Sequence, residues 1–207
     1  MDLGLKGRKA IVCASSRGLG RACATSLARE GCIVFINGLD PDRLKTTAAE
    51  ISSLTGSTVT PVRADINTDA GRETLISACP DADILVNNNA GPSPGKLEDW
   101  GRAEWNYALE ANMLAPIFLI QGLIPGMRAR KFGRIVNITS AMVKAPRPHM
   151  GLSTAARTGL TALCKALSLD TAKDNVTLNN LLPERIDTDR QRFMTERIMK
   201  VDSISWD

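Results

Sequence analysis

The sequence predicts a doubly wound α/β fold, in which helices cover both faces of a parallel β-sheet. Short apolar runs alternate with helical patterns along all 207 residues, and this alternation is typical of βα units. Residues 84–86 form a continuous apolar run, as expected for a strand that is buried on both faces of a sheet. The first apolar run ends in a turn of small residues that leads directly into a helix, the arrangement in which such folds hold a diphosphate.

Six strands are predicted, and we expect right-handed helical crossovers between them. The strands are expected at residues 9–14, 32–37, 59–64, 84–86, 135–138 and 176–182. The helices are expected at residues 19–31, 41–56, 70–78, 104–130, 152–173 and 191–200. The second helix has the clearest ends, because Asp40 is a favoured N-cap, Pro41 suits the first helical position and Gly56 suits the C-terminal turn. No linker or repeat divides the chain, so we expect a single domain over residues 1–207.

The composition argues against several function classes. The net charge is only +4 and the basic residues are scattered, so nucleic-acid binding is not expected. The most apolar stretch, residues 113–127, is interrupted by Pro116, Gln121 and Pro125 and is too short to span a membrane. Five cysteines without CxxC spacing indicate buried thiols in a reducing cytoplasm. The sequence has a single histidine, so few side chains are available as ligands for a zinc ion. We therefore expect a cytoplasmic protein that binds no metal.

Residues 13–20, CASSRGLG, form the small-residue turn after the first strand. Small side chains let the backbone approach phosphate groups, and the N-terminus of the following helix favours their negative charge. Ala14 adds a Cβ at the tightest point of the turn, which costs about 1 kcal/mol if its φ is positive. The turn therefore predicts a dinucleotide site that binds less tightly than an all-glycine turn would.

Further motifs stand at the ends of later strands. Asp65-Ile66 follows the third strand, residues 87–91 read NNNAG, Ser140 follows the fifth strand, and residues 183–188 read PERIDT. Together with CASSRGLG they resemble the short-chain dehydrogenase/reductase family, and 3-oxoacyl carrier-protein reductases in particular, over essentially the whole chain. The resemblance implies a Rossmann-type fold, a nicotinamide dinucleotide cofactor and a small-molecule substrate that is a carbonyl compound or a secondary alcohol. It also implies a homodimer or homotetramer.

The resemblance assigns cofactor contacts to residues at these strand ends. They are Ala14, Ser16, Arg17, Gly18, Leu19, Gly20, Asn37, Asp65, Ile66, Asn88, Asn89, Ala90, Arg157, Pro183, Ile186 and Thr188. The second strand has no acid directly at its end, where NAD-binding members have a carboxylate for the ribose 2′-hydroxyl. Arg17 lies where NADP-binding members often carry a basic residue, although Leu39 stands where they often have a second arginine. We therefore expect NADP(H) to be preferred, with NAD(H) as the alternative.

The run of three asparagines leaves the register of the family's NNAG motif open. Counted from the fourth strand, the family's pair is Asn87 and Asn88. Counted back from Gly91, the pair is Asn88 and Asn89. Consecutive buried amides need hydrogen-bond partners, so either register predicts a polar network beside the cofactor.

The catalytic centre that the resemblance implies is only half preserved. Asn112 matches the asparagine that holds a proton-relay water, and Ser140 matches the serine that polarises the substrate oxygen. The family's YxxxK motif falls without a gap on STAAR, so Ser153 replaces the tyrosine acid and Arg157 replaces the lysine. A serine hydroxyl is a poor general acid, whereas Arg157 keeps the charge that holds the ribose. His149, one helical turn before Ser153, is a candidate replacement acid because imidazole titrates near neutrality.

Two functions remain open from the sequence. The first is an oxidoreductase that transfers a hydride between NADP(H) and a carbonyl or secondary alcohol, with Ser153 and water, or His149, relaying the proton. The second is a cofactor-binding protein without turnover, a sensor or assembly partner, because Ser153 and Arg157 replace the catalytic pair. We expect a mobile substrate lid to begin near residue 185, and the family's last strand to be absent from a chain that ends at Asp207.

Overall fold

Six parallel strands form one sheet in the computed structural model, which describes residues 2–202 without the side chains of residues 190, 194, 197, 198 and 200–202. The strands are β1 Lys9–Val12, β2 Ile33–Gly38, β3 Val59–Arg63, β4 Ile84–Asn87, β5 Gly133–Ile138 and β6 Val176–Leu181. Their order across the sheet is β3-β2-β1-β4-β5-β6. Because the order reverses between β1 and β4, the loops after these strands diverge and open a crevice at the carboxyl edge. The predicted doubly wound α/β fold is confirmed.

Helices connect the strands and cover both faces of the sheet. Those described are α1 Gly18–Arg29, α2 Pro41–Thr55, α3 Asp69–Ala78, α4 Arg102–Leu109, α5 Ala115–Ala129, α6 Gly151–Thr171 and α7 Asp189–Asp202. The predicted ends of α2 are confirmed: the Asp40 carboxylate accepts hydrogen bonds from two backbone N–H groups of the first turn, and Gly56 ends the helix with a φ of 72°. The helix predicted at residues 191–200 is the middle of α7, and residues 203–207 of the predicted lid lie outside the described residues.

Each face of the sheet has its own apolar core. On one face, Leu85 of β4 packs in a cluster with Leu119 and Leu123 of α5. On the other face, Ile36 of β2 packs in a cluster with Ala24 of α1. Burying one large aliphatic side chain contributes about 1.5–3 kcal/mol, and all four residues of β4 are buried, as its apolar run predicts. The two cores hold the strand ends in fixed register, and these ends carry the site.

The single long helix predicted over residues 104–130 is interrupted. A π-helical turn, Glu110–Leu114, joins α4 to α5. Pro116 has no N–H and therefore cannot donate to the carbonyl oxygen of Asn112, four residues earlier. The residue before it, Ala115, donates its N–H to the carbonyl oxygen of Glu110, five residues earlier, and this bond widens the turn.

One helical stretch among the described residues, Arg102–Ala129, is long and apolar enough to cross a membrane by length and composition. Leu119, Leu123 and Met127 within it are almost completely buried in the core. Core packing therefore accounts for the apolar character of this stretch.

Candidate cofactor site and active site

The turn between β1 and α1 follows a tight left-handed path. Ala14 has a φ of 44° and Gly18 a φ of 56°, a region that disfavours residues with a Cβ. Gly20 makes an even closer approach, since a Cβ on it would lie 2.4 Å from the carbonyl oxygen of Ala14. Helix α1 begins without a side-chain cap and without an acidic residue in its first turn, so its first N–H groups can serve a ligand. This geometry suits the phosphates of a dinucleotide.

Asn37, at the end of β2, holds this turn in place. Its side chain is 2% exposed and accepts a hydrogen bond from the N–H of Ala14 (3.3 Å). Its amide nitrogen donates to the carbonyl oxygens of Val62 and Ala64 beside it (3.2 and 2.9 Å). The N–H of Ser15 donates to the carbonyl oxygen of Asn37 (2.8 Å) and completes the link. The side chain of Asn37 is thus almost completely buried, and its hydrogen bonds position the phosphate turn.

The first two of the three successive asparagines join neighbouring parts of the carboxyl edge. The amide nitrogen of Asn87 donates to Oδ1 of Asn137 on β5 (2.9 Å), and Asn137 donates in turn to Oδ1 of Asn180 on β6 (3.0 Å). These three residues lie opposite one another in the sheet. Asn88 donates to the carbonyl oxygen of Ala14 (3.2 Å). The phosphate turn is therefore held through both its N–H and its carbonyl group.

Asn89, the third asparagine of the run, binds a different part of the molecule. Its amide nitrogen donates to the carbonyl oxygen of Ala111 (3.0 Å) and to Oδ1 of Asn67 (2.8 Å). In a regular α-helix the carbonyl oxygen of Ala111 would accept a hydrogen bond from the N–H of Ala115. In the π-helical turn that N–H donates to the carbonyl oxygen of Glu110, so the carbonyl oxygen of Ala111 needs another donor. Asn89 satisfies the carbonyl that this turn releases. The third asparagine thus ties the π-helical turn to the loops around the crevice.

An ion pair fixes the π-helical turn from a second direction. Arg72 of α3 is 6% exposed, and its guanidinium donates to the Glu110 carboxylate (2.6 Å) and to the Asp69 carboxylate. The same guanidinium donates to the carbonyl oxygen of Ile66 (2.9 Å), a residue predicted to border the adenine. Charge-assisted bonds of this kind are among the stronger ones in proteins. They connect the predicted adenine side of the crevice to the first residue of the π-helical turn.

Asn112 lies in the π-helical turn and points into a small cavity at the carboxyl edge. Its amide nitrogen donates to the carbonyl oxygen of Ala90 (3.2 Å), whereas its Oδ1 is buried without a hydrogen-bond partner among residues 2–202. The cavity has a volume of about 20 Å³, which is room for one water. Its polar lining consists of Asn87, Asn88, Asn89, Asn112 and Arg157. A buried amide oxygen requires a partner, so this cavity suits the water that the sequence predicts at Asn112.

Ser153 and Arg157 lie on consecutive turns of α6, next to the end of β5. Nε of Arg157 donates to the hydroxyl oxygen of Ser153 (3.1 Å), and Nη1 donates to the carbonyl oxygens of Ile138 and Thr139 (2.7 and 2.8 Å). Ser153 is 4% exposed, so its hydroxyl is enclosed beside the guanidinium. Arginine stays protonated in proteins and cannot pass on a proton. The pair preserves the positive charge of the family's lysine and provides no group that titrates near neutrality.

Ser140 and His149 lie in the loop between β5 and α6. The hydroxyl oxygen of Ser140 accepts a hydrogen bond from the N–H of Met142 (3.2 Å), which leaves its own proton to be donated. His149 belongs to a short 3₁₀ turn before α6, its side chain is exposed, and its carbonyl oxygen accepts from the N–H of Gly95 (3.1 Å). Within residues 2–202, no hydrogen bond joins the imidazole to Ser140 or to Ser153.

The loop between β6 and α7 returns to the phosphate turn. Thr188 lies beside Gly18, because a Cβ on Gly18 would be 3.9 Å from Cγ2 of Thr188. The carbonyl oxygen of Pro183 accepts from the N–H of Ala141 (2.9 Å), which ties the start of the loop to the end of β5. Ile186, between these two anchors, is 45% exposed. The segment predicted to contact the nicotinamide therefore runs from the end of β5 to the phosphate turn.

The remaining predicted cofactor residues lie at the outer part of the same edge. Ser16 and Leu19 are half-buried and Arg17 is exposed. The Asp65 carboxylate accepts a hydrogen bond from the N–H of Asn67 (3.0 Å). In the part of the chain that the structure describes, no group of three His, Cys, Asp or Glu side chains is arranged to hold a metal ion.

The cysteines contribute no acid or base to the site. All five are unpaired thiols. Burial raises the pKa of the Cys13 thiol to about 12 and the pKa of Cys32, Cys79 and Cys164 to about 11 each. Burial also raises the pKa of Cys23. These thiols stay protonated at neutral pH and act as small apolar residues.

Comparison with known proteins identifies the family. The sequence pattern described as short chain dehydrogenase matches residues 8–198. The chain belongs to the short-chain dehydrogenase/reductase family. It is 32% identical to D-beta-hydroxybutyrate dehydrogenase of Rhizobium meliloti over 181 residues, which cover 85% of this chain and 70% of that protein. It is 30% identical to the 3-oxoacyl-acyl-carrier-protein reductase of Aquifex aeolicus over 203 residues, which cover 96% of this chain and 82% of that protein.

Solved structures agree with this assignment. The L-sorbose reductase of Gluconobacter frateurii, in complex with NADPH and L-sorbose, superposes with a TM-score of 0.91 at 29% identity, covering 97% of this chain and 78% of that chain. A 3-oxoacyl-acyl-carrier-protein reductase of Agrobacterium tumefaciens with NADP bound superposes with a TM-score of 0.87 at 30% identity, covering 95% of this chain and 77% of that chain. The Rossmann-type, short-chain dehydrogenase/reductase architecture predicted from the sequence is confirmed.

Several residues that shape the site were not predicted. They are Ser15, Asn67, Arg72, Glu110 and Asn137, all of which act by holding other residues. One local signal was present, because a proline four residues after Asn112 removes the hydrogen bond that an α-helix needs there. The partners of the others lie far away in sequence, and nothing in their own neighbourhood marks them.

The left-handed conformation of Ala14 gives a prediction with a defined sign. Replacing Ala14 by glycine removes the strained Cβ, so Ala14→Gly is expected to raise the free energy of unfolding by about 0.5–1 kcal/mol, measured by urea denaturation. Ala22→Gly, on the exposed side of α1, is the matched control and should lower it by about 0.5–1 kcal/mol. A loss of stability in Ala14→Gly would show that this turn is not strained.

Proposed function

We propose that this short-chain dehydrogenase/reductase is an NADP(H)-dependent oxidoreductase that interconverts a carbonyl compound and a secondary alcohol. The observation that carries the proposal is the phosphate turn, in which Ala14 and Gly18 are left-handed and Asn37 and Asn88 fix the backbone. Such strain is usually retained for a ligand, and a dinucleotide diphosphate is the ligand that this turn and an uncapped helix suit. The relatives with NADPH and NADP bound support the same cofactor class.

The residues along the crevice fit the successive parts of the cofactor. The phosphate turn would hold the diphosphate, and Asp65 and Ile66 would border the adenine. Arg157 would hold the nicotinamide ribose, and the loop that carries Ile186 and Thr188 would border the carboxamide. When bound, the nicotinamide supplies or accepts the hydride. The protein contributes the binding, the orientation and the handling of the proton.

Ser140 and Asn112 are the residues that we assign to the reacting end. The Ser140 hydroxyl accepts from the N–H of Met142, so its own proton would be donated to a substrate oxygen. That bond would stabilise the negative charge that develops on a carbonyl oxygen during reduction. The unpartnered Oδ1 of Asn112 would hold one water in the cavity of about 20 Å³.

The proton that accompanies the hydride has to reach the substrate without the family's tyrosine. Ser153 is enclosed and bonded to Arg157, so it can relay a proton only together with water. His149, in the loop before α6, is the alternative donor, and its side chain is exposed to solvent. We propose two alternative routes for the proton, one through the Ser153 hydroxyl and water and the other through His149.

One observation favours a second function, which is cofactor binding without turnover. Arg157 is anchored to the carbonyl oxygens of Ile138 and Thr139, and the hydroxyl of Ser153 is bonded to it, so neither residue provides an acid. A protein of this second kind would bind NADPH through the same turn and would leave carbonyl compounds unreduced. Turnover by the unaltered chain distinguishes the two functions.

We also infer that the protein is a cytoplasmic homodimer or homotetramer. Unpaired thiols suit a reducing compartment. Tyr107 of α4 is 51% exposed and Phe118 of α5 is 41% exposed. Aromatic residues are enriched where protein surfaces meet, so α4 and α5 are the helices that we expect to face a second copy.

The role of Ser140 is tested by NADPH oxidation in the presence of small ketones and 3-oxoacyl thioesters. The unaltered chain should reduce at least one of these classes. Ser140→Ala should then lower kcat by about 100-fold, because it removes the donor to the developing oxyanion. Ser53→Ala, exposed on α2, is the control and should leave kcat unchanged. Equal rates for all three proteins would contradict the assignment.

The role of His149 is tested with the substrate found in that assay. If His149 supplies the proton, His149→Ala should lower kcat by about 100-fold, the usual size of a general-acid contribution. Added imidazole should restore part of the rate. An unchanged rate would instead assign proton delivery to Ser153 and water.

A further inference from the structure

The 2′-phosphate is the group that distinguishes NADP(H) from NAD(H), and the end of β2 is where this fold receives it. Position 39 carries no cation, because Leu39 stands there and is 62% exposed. The guanidinium of Arg63 nevertheless lies beside position 39, because its Nε donates to the carbonyl oxygen of Leu39 (3.2 Å). Arg63 is the last residue of β3 and lies opposite Gly38 in the sheet. The neighbouring strand therefore delivers a positive charge to the end of β2.

The phosphate turn reaches this point as well. A Cβ on Gly38 would lie 3.3 Å from Oγ of Ser16, so the hydroxyl of Ser16 packs directly on the last residue of β2. Arg17 follows Ser16, is exposed, and has an extended backbone with a φ of −163°. The hydroxyl of Ser16 and the guanidinium of Arg63 thus meet at the place where β2 ends, and Arg17 is the exposed residue next to Ser16.

The carboxylate nearest in sequence is committed to another task. Oδ1 of Asp40 accepts hydrogen bonds from the N–H groups of Asp42 and Arg43 (3.1 Å each). The other carboxylate oxygen of Asp40 lies 3.9 Å from the guanidinium of Arg43. A carboxylate that caps α2 in this way is poorly placed to accept from a ribose 2′-hydroxyl, the contact that would favour NAD(H).

We propose that Arg63 supplies the second positive charge for the 2′-phosphate of NADP(H), acting with Arg17 and Ser16 in place of an arginine at position 39. The inference rests on the proposed function. Within residues 2–202, Arg63 uses only Nε, for the carbonyl oxygen of Leu39. Its two terminal nitrogens are therefore available for phosphate oxygens, and the bond to Leu39 fixes the side chain in advance of binding.

The test measures the Kd of NADPH and the Kd of NADH separately, by isothermal titration calorimetry on the full chain. Arg63→Ala should raise the Kd of NADPH by about 10- to 100-fold, the range expected for losing charge-assisted bonds to phosphate, and leave the Kd of NADH unchanged. Arg63→Lys, which keeps the charge and loses the planar fork, should give an intermediate Kd for NADPH. Arg29→Ala, exposed in the last turn of α1, removes one positive charge elsewhere and should change neither Kd.

Three results would overturn the inference while leaving the proposed function intact. These are an unchanged Kd of NADPH in Arg63→Ala, an equal rise for NADPH and NADH, and a loss of NADPH affinity in Arg29→Ala as large as in Arg63→Ala. An equal rise would mean that Arg63 acts by holding the backbone at Leu39. If the unaltered chain binds neither dinucleotide, both the inference and the proposed function are wrong. Thermal unfolding of each variant checks the fold, and Arg63→Lys carries the test if Arg63→Ala is unstable.

Discussion

The carboxyl edge of this protein depends on the left-handed conformation of one residue, Ala14. A residue with a Cβ adopts that conformation at a cost of about 1 kcal/mol or more. Hydrogen bonds from both sides offset the cost, because the N–H of Ala14 donates to Asn37 and its carbonyl oxygen accepts from Asn88. A net gain of about 1 kcal/mol for each bond is enough to hold the turn. The absent Cβ of Gly20 then lets α1 start directly against it.

The same amides connect the phosphate turn to the reacting end of the crevice. Asn88 holds the phosphate turn, and Asn89, the next residue, holds the carbonyl oxygen of Ala111 in the π-helical turn. That turn places Asn112 with an unpartnered oxygen in the cavity. Amides carry no charge at any working pH, so this frame keeps its geometry while other groups titrate. One rigid strand end therefore positions the two halves of the site relative to each other.

The fold could be predicted because its signals are local. Apolar runs, helix caps such as Asp40 and C-terminal glycines such as Gly56 each act within a few residues, and their order alone indicates a doubly wound sheet. The candidate site residues followed from motifs at the strand ends. The hydrogen bonds that individual side chains form could not be predicted in the same way. The amide of Asn37, for example, is taken up by carbonyl oxygens 25 and 27 positions away along the chain.

Contacts of this kind depend on the assembled sheet, and no local pattern encodes them. The attachment of Arg63 to Leu39 spans 24 positions and exists only because β2 and β3 are neighbours in register. The ion pair of Arg72 with Glu110 likewise joins α3 to a turn 38 positions later. The π-helical turn differs from these contacts, because Pro116 is a local signal that the regular helix is interrupted there. The substitutions at Ser153 and Arg157 were visible in the sequence, and the structure adds that the two side chains bind each other.

The most direct test of the proposed activity follows the hydride itself. The unaltered chain is incubated with small ketones and 3-oxoacyl thioesters and with NADPH that carries deuterium at both hydrogen positions of C4 of the nicotinamide, and the alcohol products are analysed by mass spectrometry. The proposed activity predicts deuterium on the carbinol carbon of at least one product. It would be contradicted if the chain bound NADPH and transferred no deuterium, while the Ser153→Tyr, Arg157→Lys double variant did transfer it.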